Sequence, residues 1–252
     1  MYIKSINNFD PDLIPSPVVG VVSKVYFHNS GYHQHNKHQL LFAKGGGLIV
    51  EIDNSRYFVP PSCAIWVPAK TTHKTTAHNE VELRSLFFED GLSLPSNPLI
   101  IGFSSLLFEL ADRMAHWPWD KSSSEQHSTL SVFQEELQAA LLHPLNITMP
   151  KDRRLNPLLD LLKSEQNPPK LIEIEKMIGA SSKTIGRIFL RETGLSYQAW
   201  RQQWRLMKAM EMLTDKQSVH YVAQQLDFSS SSAFIAFFQK HTNQTPGRFI
   251  AA

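Results

Sequence analysis

Residues 171–200 and 219–249 repeat one pattern, and a repeat of this kind leaves few folds open. Leu171, Ile174 and Ile178 in the first copy correspond to Val219, Val222 and Leu226 in the second, 48 residues on. Ser181-Ser182 corresponds to Ser230-Ser231 at a separation of 49, as do Ile185, Ile188 and Phe189 to Phe234, Phe237 and Phe238. Ser196 matches Thr245, and Trp200 matches Phe249. Apolar residues three and four apart share one helical face. Each copy therefore predicts a short helix, a tight turn and a longer helix, which is the grammar of a helix-turn-helix. Gly179 ends the first short helix where a left-handed backbone is needed, and Asp227 stands at the equivalent place. Ser181/Ser182 and Ser229/Ser230 are suited to cap the longer helices.

In the first longer helix, Ile185, Ile188 and Phe189 form the core face, while Lys183, Arg187 and Arg191 line another face at i, i+4 and i+8. That basic stripe suits a DNA major groove, with Arg187 reading guanine edges and Ser182, Lys183 and Thr184 touching bases or phosphate. The segment YQAWRQQWRLMKAMEML between the copies predicts a connecting helix about 26 Å long. Arg201, Arg205 and Lys208 share one of its faces, and some of them, Arg201 and Arg205 foremost, are expected to supply phosphate contacts. The second recognition helix is chemically poorer. It offers Ser230, Ser231, Ser232, Ala236, Gln239 and Lys240, with Ser232 and Ala236 where the first has Lys183 and Arg187. Serine reads bases weakly and alanine offers only contact to a thymine methyl, so the first unit is expected to dominate readout and the second to anchor.

Charge agrees with this division. Residues 1–150 hold 10 Lys/Arg against 14 Asp/Glu, a balance of −4, and residues 151–252 hold 15 against 9, a balance of +6. A polyanion partner is thus expected for the second half. No stretch approaches ~18 uninterrupted apolar residues, so no membrane span is expected. The opening MYIKSINNFD lacks a signal-peptide core, and the lone Cys63 has no disulfide partner, so cytoplasm is the expected compartment and Cys63 a buried strand residue.

The first half reads differently. VVGVVSKVYF, QLLFAK, GLIVEID, SRYFVP, AIWVPA and VELRSLFFE are short strand-like runs separated by turn signals, which predicts a compact barrel or sandwich over residues 18–89. Residues 98–116 and 124–142 carry helical spacing, including Leu130, Phe133, Leu137 and Leu141, either to pack on the barrel or to form a dimer seam. Trp66, Phe42 and Phe87 are expected to fill the barrel or line its pocket. The expected architecture is a two-domain α+β chain. A β-barrel with trailing helices spans residues 1–145, a linker 146–154, and an all-α double helix-turn-helix 155–252.

WRQQWRLMKAMEML followed by VHYVAQQLDFSSSSAFIAFFQKHTNQTPGRF resembles the AraC/XylS family of bacterial regulators, and the likeness covers residues 155–250. It implies sequence-specific binding of double-stranded DNA near promoters and contact with RNA polymerase. Two positions depart from the family pattern: Asp227 stands where glycine is usual, and Glu175 where a small residue is preferred.

GYHQHNKHQLLFAKGG and AIWVPAKTTHKT resemble the two motifs of a cupin barrel. In strand geometry His33, His35 and Gln39 point one way and His38 the other. The resemblance to metal-binding cupins makes His33, His35, Gln39 and His73 a candidate site for a divalent transition metal. Lys70 stands where the second motif commonly has glycine. His28, His78, His116, His127, His143, His220 and His241 show no ligand spacing. Three readings of the pocket stand open here: a metal site, a polar small-molecule effector pocket without metal, and a structural remnant. The expected protein is a non-enzymatic regulator that binds an effector and pairs with a second copy. The competing readings are a metal-dependent cupin enzyme fused to a DNA-binding module, and a constitutive DNA-binding protein whose barrel serves assembly.

Overall fold

The computed structural model describes residues 1–3, 9–90, 95–164 and 166–251. The chain folds as two compact units, Met1–Asp53 with Tyr57–Leu145, and Asn54–Arg56 with Asn146–Ala252.

The first unit contains strands β1 (Val18–Val25), β2 (His28–Asn29), β3 (His38–Lys44), β4 (Leu48–Ile52), β5 (Ser55–Val59), β6 (Cys63–Val67), β7 (His73–Ala77), β8 (Val81–Phe88) and β9 (Leu99–Gly102). Helices α1 (Ser105–Ala115) and α2 (Ser123–Ala139) follow, then β10 (Leu142–His143). One sheet runs β1-β8-β3-β6-β9-β10 and the other carries β5-β4-β7-β2. The arrangement is a sandwich-like jelly roll of two sheets rather than a closed barrel. All the runs expected as strands are strands. β7 was not expected, because HKTTA is mostly polar, and its strand character shows only in the alternating burial of His73, Thr75 and Ala77. Residues 99–102 form a strand paired with β6 where helical spacing was expected to begin. A four-residue apolar run carries too little periodicity to separate the two, and Ile100 and Ile101 favour the pleat.

Alternation sorts each strand between two cores. Leu40 and Phe42 of β3, Trp66 of β6 and Leu86 and Phe88 of β8 pack under α1 and α2. Gln39 and Leu41, with Leu83, Ser85 and Phe87, face a cavity. Leu130, Phe133 and Leu137 bury the apolar stripe of α2 on the first of these cores, so that stripe is packing. Leu141 lies beyond the helix and is exposed. Ser122 and Glu125 close a capping box at the start of α2. Gly20 of β1 has no room for a side chain, because a Cβ there would run into the carbonyl of Met114 at the end of α1. Cys63 is buried in β6, and burial pushes its thiol up to about 11, so it is inert at neutral pH.

The second unit begins with β11 (Asn146–Thr148) and a 3-10 turn at Arg153–Leu155, within the stretch expected as linker. Its helices are α3 (Asn156–Lys163), α4 (Leu171–Ile178), α5 (Ser182–Thr193), α6 (Tyr197–Thr214), α7 (Val219–Gln225), α8 (Ser231–Thr242) and α9 (Pro246–Ala251). Both repeats form their helix pairs. Gly179 and Asp227 both take left-handed backbones, with φ of 64° and 56°. Ser181 caps α5 and Ser230 caps α8. Asp227 holds its unusual conformation with a carboxylate that accepts from Asn167 Nδ2 at 3.1 Å. The core joins Ile185, Ile188 and Phe189 to Tyr197 and Trp200, with Phe189 edge-on to both rings. Among the described residues no helix is long and apolar enough to cross a membrane.

Candidate functional site

The recognition stripe of α5 follows from its periodicity. With Ile185, Ile188 and Phe189 buried, Lys183, Arg187 and Arg191 are left exposed, and Thr184 is half-buried. Lys183 and Arg187 form no ion pair among the described residues, so both charges are available to a polyanion. Arg191 is held instead by Glu192 at 2.7 Å and Asp152 at 3.4 Å, which draws its charge away from the stripe. Ser182 is also committed: its main-chain N–H and its hydroxyl both donate to the Glu175 carboxylate. Glu175, the departure from the family pattern, thereby caps α5 from α4 across the turn. These hydrogen bonds from Ser182 hold the carboxyl below its usual range.

On α8, Ser232, Ala236, Gln239 and Lys240 are exposed. Ser231 is half-buried with its hydroxyl 3.4 Å from His220 Nδ1, and the Ser230 hydroxyl accepts from the Ala233 N–H.

The expected phosphate role of Arg201 and Arg205 is corrected. Both are 6% exposed. Arg201 Nε donates to the Pro168 carbonyl at 2.7 Å, ahead of α4, and Arg205 Nε to the Leu226 carbonyl at 3.0 Å, at the end of α7. The Arg205 guanidinium also lies 3.8 Å over the Phe228 ring. The connector therefore turns these two charges inward, where each ties one helix-turn-helix unit to α6.

In the first unit, a cavity of about 280 Å³ is lined by His28, His33, His35 and Gln39, with Asp10, Asp12, Ser85 and Phe87 among its other walls. His33 and His35 lie in the segment between β2 and β3, not within a strand as their spacing suggested. His33 nevertheless bridges His73 of β7 through paired main-chain bonds of 3.0 and 2.9 Å. One ring nitrogen from each of His33, His35 and His73 lies within 4.8 Å of the others. The Nδ1 of each ring sits beside a main-chain carbonyl: Gly31 at 3.1 Å, Lys37 at 2.5 Å and Thr71 at 2.8 Å respectively. A carbonyl only accepts, so Nδ1 carries the proton in each ring and Nε2 presents its lone pair. His73 Nε2 is buried and has no hydrogen-bond partner. Burial pushes the His73 ring down to about 4 and also lowers His35, so both are neutral at physiological pH.

Gln39 stands beside the cluster, with Nε2 donating to Ser85 Oγ at 3.1 Å and Oε1 3.3 Å from His35 Nε2. His38 points elsewhere, as alternation implied, stacking on Trp66 and pairing with Asp90. Lys70 is exposed, with φ of 61°, and its main-chain N–H donates to the His35 carbonyl at 2.8 Å. Of the aromatics, Phe87 lines the cavity and meets the His35 ring edge-on, whereas Trp66 and Phe42 belong to the core under the helices. The sequence reading missed His28, Asp10 and Asp12 as cavity walls. His28 reaches the cavity because its strand pairs with β7, His28 opposite Ala77, four residues beyond the partner of His33.

Two helix-turn-helix units on one connecting helix, in one chain with a sandwich that encloses a polar cavity, define a DNA-binding transcriptional regulator with a ligand-binding domain. Residues 22–92 match the family model described as an AraC-like ligand binding domain, and residues 174–252 the one described as a helix-turn-helix domain. The chain is similar to the HTH-type transcriptional regulator NimR of Escherichia coli K12, with 27% identity over 256 positions covering 100% of this chain and 94% of that protein. It is similar also to the HTH-type transcriptional regulator RipA of Corynebacterium glutamicum, with 30% identity over 102 positions covering 40% of this chain and 31% of that protein. Among solved structures, ToxT from Vibrio cholerae aligns with a TM-score of 0.37 and 12% identity, covering 94% of this chain and 98% of that one. The chain belongs to the AraC/XylS family of transcriptional regulators.

Proposed function

We propose that α5 reads the operator sequence, that α8 chiefly anchors and senses DNA shape, and that the cavity of the first unit binds an effector that sets operator affinity. The observation that carries the first part is the pair Lys183 and Arg187: exposed, unpaired, and opposite a helical face that is wholly core. Arg187 offers a bidentate donor for guanine O6 and N7, Lys183 and Thr184 reach neighbouring bases or phosphate, and Arg191 is left to supply charge from within its ion pairs. Ser230 contributes as the helix cap of α8, and Ser182 stands in the first turn of α5, where it positions the turn through Glu175 and lies beside the approaching DNA backbone. On α8, Lys240 and Gln239 contact the backbone, while Ser231, Ser232 and Ala236 permit close approach.

An effector changes transcription only by binding two states of the regulator with different affinity. The polar lining of the cavity supports a ligand rather than plain packing there. The same reading includes self-association, contact with RNA polymerase, a cytoplasmic setting and no catalysis of its own. The test begins with an operator selected from a random duplex pool. Arg187→Ala is then compared with wild type on that operator and on variants changed one base pair at a time. Selectivity lost at one position supports the reading; unaltered affinity and selectivity overturn it.

A further inference from the structure

We propose that the segment from Lys151 to Arg154 is a third DNA-contacting element, a basic arm that Glu192 of α5 pins beside the recognition stripe. Lys151 and Arg153 then meet the phosphate backbone that flanks the α5 half of the operator. The placement of the arm stands on contacts within the second unit, and its partner rests on the reading of α5 as the helix that enters the groove.

Three observations converge. First, the segment is not a loose tether. The Thr148 carbonyl accepts from Trp200 Nε1 of α6 at 2.8 Å, and Leu155 is fully buried. Between them, the main-chain N–H groups of Lys151 and Asp152 donate to one oxygen of the Glu192 carboxylate at 2.7 and 3.0 Å. Asp152 then starts the 3-10 turn by accepting from the Arg154 N–H at 3.1 Å. Second, the pin is out of character for its place. Glu192 stands in the last turn of α5, where the helix dipole and an approaching polyanion both disfavour a carboxylate. Its two main-chain partners account for its presence. The second copy has His241 at the corresponding position, so this carboxylate belongs to the first unit alone. Third, the arm is basic and open. Lys151, Arg153 and Arg154 are exposed. Arg154 pairs with Asp152 at 2.6 Å, whereas Lys151 and Arg153 form no ion pair among the described residues.

Asp152 locates the arm against the stripe. Its carboxylate lies 3.4 Å from Arg191, which ends the line that begins with Lys183 and Arg187. Successive Cα atoms are about 3.8 Å apart, so Lys151 and Arg153, one residue to either side, stand within a side chain's length of that end. Lys151, Arg153, Arg154 and Arg191 oppose Asp152 and Glu192, four cations against two carboxylates, which leaves a surplus of +2. A basic patch continuous with a groove-reading helix suits the same polyanion. Contacts of this kind go to phosphate, so they add affinity and fix register without reading bases.

The test uses the full chain and fluorescence anisotropy, on the selected operator and on a random duplex, across a potassium chloride series. Lys151→Ala/Arg153→Ala should lower the slope of log affinity against log salt by about 2, since each phosphate contact contributes about 0.9. It should weaken both duplexes by the same factor and leave base-pair selectivity intact. Both side chains are exposed, so the far-ultraviolet dichroism spectrum should not change. Lys163→Ala, an exposed cation in the last turn of α3, should keep the wild-type slope. Glu192 is tested as a positioning residue. Removal of a negative charge by itself would tighten DNA binding, whereas loss of the pin predicts weaker binding and a lower slope for Glu192→Ala. Glu192→Gln keeps an acceptor for the two N–H groups and should bind at least as well as wild type. A wild-type slope in the double variant overturns the arm, and equal or tighter binding by Glu192→Ala overturns the pin. Arg187→Ala is measured alongside. Selectivity lost there, with a wild-type slope in the double variant, retires the arm and leaves α5 as the reader; selectivity kept there overturns the reading of α5 itself.

Discussion

Arg205 of α6 donates Nε–H to the carbonyl of Leu226 at 3.0 Å, across the turn of the second helix-turn-helix unit. Leu226 is the C-cap of α7, where helix carbonyls lack partners and carry the negative end of the helix dipole. The guanidinium also covers the ring of Phe228. Arg201 makes the corresponding contact with Pro168 at the entry to the first unit. The connector thus fixes both reading units through buried cations.

Arg205→Ala should therefore destabilise the second unit by about 2–4 kcal/mol, since it strips a charged hydrogen bond and leaves a buried carbonyl unpaired. Denaturant unfolding followed by tryptophan fluorescence checks this. Operator binding by the fraction that remains folded should fall far less than stability does. A loss of affinity with no loss of stability would return Arg205 to the phosphate-contacting set.

Arg187→Ala and Lys240→Ala should differ in kind. The first is expected to cost about 1–3 kcal/mol on the selected operator and to relax selectivity at one base pair. The second should weaken specific and nonspecific duplexes alike and lower the salt slope by about 1. Fluorescence anisotropy across a salt series separates them, and identical behaviour would refute the division between α5 and α8.

Glu175→Ala should lower the thermal midpoint and reduce operator affinity, because α5 loses the carboxylate that engages the Ser182 N–H and hydroxyl. Glu175→Gln, which can still accept from Ser182, should recover most of both. Recovery of neither would show that the negative charge, rather than the cap, matters.

Asp112 gives the first unit an acid sensitivity. Burial alone would raise its carboxyl, but hydrogen bonds from Lys44 at 2.9 Å and Arg84 at 2.5 Å outweigh burial and hold it below its usual value. Stability from a depressed carboxylate is present above its unfolded pKa of about 3.9 and is lost as pH falls through the folded value. Asp112→Asn should thus be less stable than wild type at neutral pH, with the gap closing as pH falls below about 4. Unfolding midpoints measured across that range test it.

The helices of the second unit were legible because a 3.6-residue period repeated twice with serine caps and a turn residue at each joint. The stripe of α5 followed, since naming its core face leaves the opposite face exposed. The same logic misplaced Arg201 and Arg205. Periodicity shows that two side chains share a face of α6, but not that helix ends from both units cover it. The cavity divides the same way. Residue types and spacing nominated His33, His35, Gln39 and His73, while β7 was hidden by its polar composition and Asp10 and Asp12 carried no signal. The sequence by itself determined two helix-turn-helix units, a β-rich partner and a set of candidate histidines, because these depend on local period and turn chemistry. Only the tertiary structure decided which cations stay free, which carbonyls orient the imidazoles, and that Gln39 turns its oxygen toward His35. Those depend on which buried donors and acceptors meet across distant segments, and no local pattern encodes that pairing.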